Sequence, residues 1–328
     1  MFPPKLREGN EIRVVAPSSS LTIISDENKR AALNRLRSLG FTVTFSKNAK
    51  EMDESGSSSI ESRVKDLHEA FSDANVKGIL AVIGGYNVNQ ILKYLDYDLI
   101  RNNPKVLCGY SDITAMSNAI YEKTGLVNYS GPVFANFGMM KGFEHTLEYF
   151  KKCLMSEEPF EIVPSKEWSD DRWYIDQDRR NFMKNSGPYI INDGRAEGTI
   201  IGGNLCTLNL LQGTEFMPSM RDTIVFLEDD DMEGKLTYSN FDRNLQSLLH
   251  LPDAQHMKGV VIGRFQKESE MNREKLVKII RTKKELGDIP VIADVDFGHS
   301  SPMATFPIGG IARVSAKNNQ TKLEIVRH

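Results

Sequence analysis

Apolar runs and helical repeats alternate along the first 155 residues, and this alternation constrains the fold more than any other feature of the chain. Apolar segments typical of strands lie at 12–16, 41–45, 78–83 and 105–108. Apolar residues recur at helical spacing over 26–39, 60–75, 88–95 and in a segment that ends near 123. Strands that alternate with helices form parallel sheets, because each crossover helix covers one face. The pattern predicts an open, mostly parallel α/β sheet.

The second half of the chain has a different pattern. A polar, weakly periodic stretch over 156–193 is typical of a linker or a functional loop. Beyond it, the sequence predicts strands at 196–201, 223–227, 259–263 and 291–293, helices at 205–211, 241–251 and 272–286, and a hairpin of 310–316 with 321–326. We expect an α/β amino-terminal domain over 1–160, a connection over 161–193 and a smaller, β-rich α+β domain over 194–328.

Charge and composition exclude several classes of protein. Among 328 residues, 41 Lys and Arg nearly balance 44 Asp and Glu, for a net charge of −3. A dedicated nucleic-acid binder is normally basic, so we expect no nucleic-acid partner. No apolar stretch approaches the roughly 20 residues of a membrane span, and the first residues lack the apolar core of a signal peptide. We expect a cytoplasmic protein without a membrane partner. The scattered Cys108, Cys153 and Cys206 fit reduced thiols.

Ser111 is the strongest local candidate for chemistry. It follows the apolar segment 105–108 and Gly109, and it precedes a helix. Open α/β sheets place ligands at the carboxyl ends of their strands, and a helix N-terminus favours a developing oxyanion. The setting is similar to the nucleophile elbow of hydrolases, without the full glycine–x–serine–x–glycine pattern. The alternative is that Ser111 only caps the helix.

Gly84 and Gly85 form a second candidate site, directly after the apolar segment 78–83. Glycines at this place let a ligand approach the backbone, and they could supply an oxyanion-binding N–H or hold a phosphate. The segment is not a dinucleotide fingerprint, because a third glycine and a suitably placed acidic residue are missing. The alternative is a plain tight turn between a strand and a helix.

His299 and Glu228 complete the candidate set. His299 lies in a Gly/Ser/Pro loop after the apolar strand at 291–293, and Glu228 ends the strand at 223–227. A serine needs an adjacent base, and a carboxylate can orient and stabilise that base. Glu228 and Asp229 could instead build a metal site with Asp294 and Asp296, or belong to a solvated acidic turn. The order Ser, Glu, His along the chain offers a nucleophile, an orienting acid and a base at strand ends.

In these segments the sequence resembles the serine peptidases that include the LD-carboxypeptidases of murein recycling and the microcin C immunity proteins. The matching residues stand in family order over nearly the whole chain: Val14, Ala16, Pro17 and Ser18; Gly84-Gly85-Tyr86; Gly109-Tyr110-Ser111-Asp112; Gly202-Gly203-Asn204-Leu205; Leu227-Glu228-Asp229; Gly298-His299-Ser300-Ser301-Pro302; and Pro307-Ile308-Gly309.

The resemblance implies a triad of Ser111, His299 and Glu228, in which Ser111 attacks the scissile carbonyl, His299 moves the proton and Glu228 holds the imidazole tautomer. It implies an oxyanion hole built from the backbone N–H groups of Asp112 and Gly85. It also implies two domains with the site between them, no metal, no cofactor and a homodimer.

Two departures bear on the substrate. Murein LD-carboxypeptidases typically carry another glycine after the Gly-Gly-Tyr turn, where this chain has Asn87, and the connection here is long and carries Trp168 and Trp173. Both features resemble the immunity branch, which cleaves the amide between an aminoacyl or peptidyl group and a modified nucleotide. In that branch an aromatic residue of the connection stacks on the base, as Trp173 or Trp168 would here; the alternative is interdomain packing.

We therefore expect a serine peptidase whose substrate contacts are Tyr86, Asn87, Trp173, Trp168 and Asn204. The leading substrate is an aminoacyl- or peptidyl-nucleotide, and the alternative is a murein tetrapeptide. A non-catalytic nucleotide or peptide binding module is a second class of function, with the glycines and the Ser111 helix terminus as an anion site. A metal-dependent hydrolase ranks last, because no histidine cluster has ligand spacing.

Overall fold

The computed structural model describes residues 1–328, and its first half alternates strands and helices. The elements in chain order are β1 (Glu11–Val15), α1 (Asp26–Ser38), β2 (Thr42–Phe45), α2 (Ile60–Ser72), β3 (Val76–Ala81), α3 (Tyr97–Asn102), β4 (Val106–Cys108), α4 (Ile113–Thr124), β5 (Asn128–Ser130) and α5 (Glu144–Met155). Side chains of Ser25 and Ser59 accept hydrogen bonds from the first turns of α1 and α2. These caps fix the helix starts that the sequence pattern predicts.

The second half is richer in strands. Its elements are β6 (Phe160–Glu161), β7 (Glu167–Trp168), β8 (Met183–Lys184), β9 (Tyr189–Asn192), β10 (Gly194–Asn204), α6 (Leu205–Asn209), β11 (Thr223–Glu228), α7 (Thr237–Leu249), β12 (Gly259–Gly263), α8 (Arg273–Thr282), β13 (Val291–Val295), β14 (Phe306–Ile308), β15 (Ile311–Lys317) and β16 (Gln320–Arg327). No helix is both long enough and apolar enough to cross a bilayer.

Two large sheets organise these elements. The first has the order β14-β5-β4-β3-β1-β2, and its strands are parallel except for β14. The second has the order β6-β16-β15-β10-β11-β12-β13-β9, with β10 to β13 parallel and the outer strands antiparallel. The predicted fold class, a mostly parallel α/β sheet followed by a β-rich α+β unit, is confirmed.

The two sheets share one apolar core, and α4 joins them. Buried apolar residues of both sheets belong to a single contiguous cluster. The Asn118 side chain exchanges hydrogen bonds with the backbone of Gly202 at 2.8 and 3.1 Å, and the Asn204 N–H donates to Thr114 Oγ1 at 3.1 Å. Because Ser111 lies between β4 and α4, and Asn204 ends β10, these contacts bring the carboxyl ends of parallel strands of both sheets to one cleft.

Several elements differ from the sequence-based expectation. The segment 88–95 is a 3₁₀ helix over Val88–Tyr94 rather than an α-helix, and the connection contains β7, β8 and β9. The hairpin of β15 and β16 is confirmed, with Asn318 and Asn319 at positive φ in its turn. One strand also crosses the expected domain boundary. β14 lies in the carboxyl-terminal half of the sequence but pairs with β5 in the first sheet. The division at 160 and 193 stays a prediction.

Candidate active site

Ser111 lies in the sharp turn between β4 and α4. Its φ is +62°, a left-handed conformation that costs a non-glycine residue free energy and is often found at functional sites. The N-cap of α4 is Asp112, and its side chain makes no capping hydrogen bond. Ser111 is therefore not the cap of this helix, and its hydroxyl points elsewhere.

The Ser111 hydroxyl contacts His299, which in turn contacts Glu228. His299 Nε2 lies 3.0 Å from Ser111 Oγ, and His299 Nδ1 lies 2.7 Å from Glu228 Oε2. Glu228 is buried at the end of β11, and His299 lies in the loop after β13. The structure thus brings together three side chains that are far apart in the sequence, in hydrogen-bonding order.

Gly298 permits the contact between His299 and Glu228. Its φ is +99°, and a β-carbon at this position would be 2.7 Å from Glu228 Oε2. Any other residue would combine backbone strain with overlap against the carboxylate. This explains why a glycine precedes His299.

Carboxylates dominate the electrostatics around His299. Burial by itself lowers the pKa of His299, but the charge and hydrogen bond of Glu228, together with Asp230 and Asp229, raise it to about 9. Burial also raises the pKa of Asp229 to about 7, and the charges of Glu228 and Asp230 add to this shift. At neutral pH the imidazole is therefore held largely as the cation, and it becomes a proton acceptor as the pH rises.

Two backbone N–H groups next to Ser111 have no acceptor within the protein. They belong to Asp112, the first residue after Ser111, and to Gly85 in the turn after β3. Gly84 places this turn beside the start of α4, since a β-carbon on Gly84 would be 3.6 Å from the Asp112 nitrogen. Free N–H groups beside a serine hydroxyl can stabilise an oxyanion. The two predicted N–H groups thus lie on adjoining segments, and their role as an oxyanion hole stays a prediction.

The Asp112 carboxylate makes contacts that the sequence analysis missed. Its Oδ2 accepts hydrogen bonds from the N–H groups of Asn87 and Val88 at 3.0 and 2.9 Å, and from the Ser18 hydroxyl. Ser18 belongs to one of the motifs that carry the family resemblance, but nothing in that motif indicates that Ser18 bonds to Asp112.

Tyr86 and Asn87 lie in the same turn and have different surroundings. Tyr86 is 73% exposed, and its hydroxyl donates to the Met232 sulfur at 3.4 Å, across the cleft. The Asn87 side chain accepts a hydrogen bond from Arg63 at 3.1 Å. Tyr86 is available to a substrate, whereas the Asn87 amide oxygen is already paired inside the protein.

Asn204 is buried and has a structural partner of its own. Its side chain accepts a hydrogen bond from the Thr207 N–H and so caps α6. Its amide nitrogen lies 3.5 Å from a carboxylate oxygen of Asp229 and of Asp230. Asn204 therefore lies beside the acidic residues of the site, and a contact with substrate remains a prediction.

The connection is docked on the His299 loop. Ser169 and Ser301 exchange backbone hydrogen bonds at 2.7 and 2.8 Å. Trp168 lies against the side chain of Arg264, 4.9 Å from the ring centroid. Trp173 is half-buried, and its ring centroid lies 5.9 Å from that of Tyr174, which is 60% exposed. Both tryptophans are half-buried, and Trp173 also packs against the apolar core, so a stacking role for either one stays a prediction.

The four carboxylates of the metal alternative are not gathered into one ligand set. Asp294 and Asp296 both pair with the buried guanidinium of Arg264, whereas Glu228 contacts His299. The ligand atoms that do lie close together belong to Cys206, Asp229 and Asp230. The structure does not support the alternative that was ranked last, a metal site of Glu228, Asp229, Asp294 and Asp296, because Arg264 already pairs with the last two carboxylates.

Two family models cover most of the chain. The LD-carboxypeptidase N-terminal domain matches residues 12–131, and the LD-carboxypeptidase C-terminal domain matches residues 197–314.

Similar proteins include members with different substrates in their names. The crystal structure of an MccF-like protein from Bacillus anthracis str. Ames is 56% identical, covers all of both chains and has a TM-score of 0.99. The microcin C7 self-immunity protein MccF of Escherichia coli is 28% identical over 93% of this chain and 90% of its own. Its structure with aspartyl sulfamoyl adenosine has a TM-score of 0.88, at 28% identity over 100% of this chain and 99% of its own. The murein tetrapeptide carboxypeptidase of Pseudomonas aeruginosa (strain PAO1) is 25% identical over 92% of each chain.

Proposed function

The chain belongs to the LD-carboxypeptidase family, and we propose that it is a serine hydrolase that cleaves the amide of an aminoacyl- or peptidyl-nucleotide. The observation that carries the proposal is the series of hydrogen bonds from Glu228 through His299 to Ser111. A neutral serine hydroxyl is a weak nucleophile, and an imidazole oriented by a carboxylate is a standard way to activate it.

The proposed reaction has two stages. Ser111 Oγ attacks the scissile carbonyl while its proton passes to His299 Nε2, and Glu228 stabilises the imidazolium. The N–H groups of Asp112 and Gly85 receive the negative charge on the carbonyl oxygen. His299 then gives the proton to the leaving nitrogen, the C–N bond breaks, and an acyl ester remains on Ser111. Water activated by His299 hydrolyses this ester and restores the serine.

The surroundings of the site favour the nucleotide substrate over the murein peptide. Tyr86, Trp173 and Tyr174 offer aromatic surface in the turn after β3 and in the connection. Aromatic rings can stack on a nucleobase, and a murein tetrapeptide has no base to stack. MccF, which has the same fold, has been solved with aspartyl sulfamoyl adenosine.

The test offers aspartyl sulfamoyl adenosine and murein tetrapeptide to one preparation of the chain. We expect aspartate to be released with the higher kcat/KM. Faster release of the terminal D-amino acid would instead support the murein alternative and overturn the preference for nucleotides. The proposed homodimer is checked separately, by light scattering of the purified chain.

A serine-directed fluorophosphonate separates catalysis from mere binding. A hydrolase becomes labelled at Ser111, and the adduct is found by mass spectrometry of the peptide that contains it. A binding module that uses the start of α4 as an anion site predicts saturable binding of a nucleotide with neither turnover nor an adduct.

A further inference from the structure

One oxygen of the Asp112 carboxylate accepts three hydrogen bonds inside the protein, although the backbone of Asp112 borders the proposed reaction centre. Asp112 is 3% exposed, and Oδ2 alone accepts hydrogen bonds from the N–H groups of Asn87 and Val88 and from the hydroxyl of Ser18. Hydrogen bonds to an ionised oxygen are about twice as strong as neutral ones. The side chain therefore joins the start of α4 to the turn after β3 and to the end of β1.

The turn that Asp112 holds is the one that carries Gly85. Asn87 and Val88 follow Gly85 by two and three residues, so fixing their N–H groups limits where the Gly85 N–H can point. Arg63 holds the opposite side of the turn, since its Nη1 donates to the Asn87 carbonyl at 3.0 Å and to Asn87 Oδ1 at 3.1 Å. The turn is thus held by hydrogen bonds to two buried side chains, Arg63 and Asp112.

Close packing against Ser18 and Ser19 also restricts the position of the Gly85 backbone. A β-carbon at Gly85 would overlap the hydroxyls of Ser18 and Ser19, so the backbone lies directly against these residues. Ser18 is itself hydrogen-bonded to Asp112. One carboxylate therefore fixes both the turn and one of the residues against which Gly85 packs.

Resting on the proposed function, we propose that the Asp112 side chain is a positioning residue that sets the distance between the two oxyanion donors. One donor is the backbone N–H of Asp112 itself, and the other is the N–H of Gly85. The first donor belongs to Asp112, and the second lies in the turn that the Asp112 carboxylate holds by hydrogen bonds. The side chain of Asp112 therefore sets the geometry of the oxyanion hole without touching the substrate.

The test compares Asp112→Asn and Asp112→Ala with wild type. Asparagine keeps an acceptor oxygen without the charge, and alanine removes the acceptor. Loss of one oxyanion donor lowers kcat by about 10²–10³-fold in other serine hydrolases. We expect a loss approaching that size for Asp112→Ala and about tenfold for Asp112→Asn, with KM nearly unchanged, because the hole acts in the transition state. The rate of fluorophosphonate labelling of Ser111 should fall in parallel.

Asp66→Asn is the matched control. Asp66 is also buried, and its carboxylate also accepts hydrogen bonds from a loop residue, from the backbone N–H and side-chain amide of Asn48 at 2.9 to 3.3 Å. These bonds lead to the loop after β2 and not to the turn after β3. This variant should show a comparable loss of thermal stability and a wild-type kcat. If Asp112→Ala does not fold, Ser18→Ala gives the second variant, because it removes one of the three donors and should lower kcat in the same direction.

The outcomes separate the two proposals. A kcat and a labelling rate within about twofold of wild type in Asp112→Ala would overturn the positioning role. A loss carried by KM alone, or shared equally by Asp66→Asn, would also overturn it. A wild-type chain that neither hydrolyses the substrates nor becomes labelled would remove the proposed function itself, and the positioning role with it.

Discussion

Gly84 lies against Ser111 so closely that a β-carbon on Gly84 would be 3.0 Å from both the Cβ and the Oγ of Ser111. The glycine after β3 therefore leaves room for the nucleophile, whereas Gly85 leaves room for the hydroxyls of Ser18 and Ser19. From the sequence, a ligand was expected to approach these two glycines. The groups closest to both glycines belong to the chain itself, and the Gly85 N–H, which has no acceptor in the protein, is the group proposed to contact a substrate.

Replacing Ser111 by alanine should abolish turnover and leave the fold intact. The hydroxyl is the proposed nucleophile, so kcat is expected to fall by roughly 10⁴-fold or more. Ser117→Ala is the control: Ser117 is buried in the same helix, its hydroxyl has no hydrogen-bond partner, and activity should be retained. Steady-state kinetics with circular dichroism measure both. Near-normal turnover by a folded Ser111→Ala chain would exclude Ser111 from the mechanism.

Activity should rise with pH. The base must be neutral to accept the serine proton, and Glu228 raises the pKa of His299 to about 9, so kcat/KM is expected to fall as the pH drops through that value. Glu228→Gln removes the nearest charge, and the apparent pKa should move down toward that of free imidazole while kcat decreases. Profiles of kcat/KM against pH test this. An unchanged apparent pKa in the variant would mean that another group limits the rate.

Gly298→Ala should cost both stability and activity, because it adds a methyl group against Glu228 in a left-handed backbone conformation. Gly213→Ala is the control, since φ there is +75° and no atom lies within 4 Å of the added carbon. The left-handed conformation alone costs about 1–2 kcal/mol, and overpacking typically adds 1–3 kcal/mol. Urea unfolding should therefore show the larger loss for Gly298→Ala. Equal losses would mean that the loop moves aside without strain.

Trp173→Ala should discriminate between the substrates. Stacking on a base is worth roughly 1–3 kcal/mol, so KM for aspartyl sulfamoyl adenosine is expected to rise while hydrolysis of murein tetrapeptide is unaffected. Trp168 packs on Arg264 and Lys267, and Trp168→Ala should instead reduce stability and affect both substrates alike. Equal losses on both substrates in Trp173→Ala would identify Trp173 as a packing residue.

Chelators should leave activity unchanged, because the proposed reaction uses only the side chains of Ser111, His299 and Glu228 and backbone N–H groups. Activity is measured before and after dialysis against EDTA and 1,10-phenanthroline. A loss that zinc or magnesium restores would contradict the proposal and direct attention to Cys206, Asp229 and Asp230, whose ligand atoms lie close together.

Sequence periodicity predicted most of the α/β half because its strands are buried on both faces and its helices have one apolar side. The same reasoning located Ser111, Glu228 and His299 as candidates, since each lies at the end of a recognisable strand, where open α/β sheets place their ligands. The hydrogen bonds between the three side chains depend on how the two sheets pack against each other. No local sequence pattern predicts that packing.

Other features were outside the reach of local patterns. β14 has only three residues, one of them proline, and it exists because β5 offers an edge to pair with. The Asp112 carboxylate finds its partners 24 and 25 residues away, in a turn whose position depends on Arg63. In both cases the deciding contact is long-range.

The placement of β14 has a mechanical consequence. His299 lies on the span that leaves the second sheet at β13 and enters the first at β14, while Ser111 belongs to the first sheet and Glu228 to the second. A rotation of one sheet against the other would therefore change a hydrogen-bond distance at the imidazole, because its two partners follow strands of different sheets. The distance between Nε2 and Oγ therefore depends on how the two sheets are aligned.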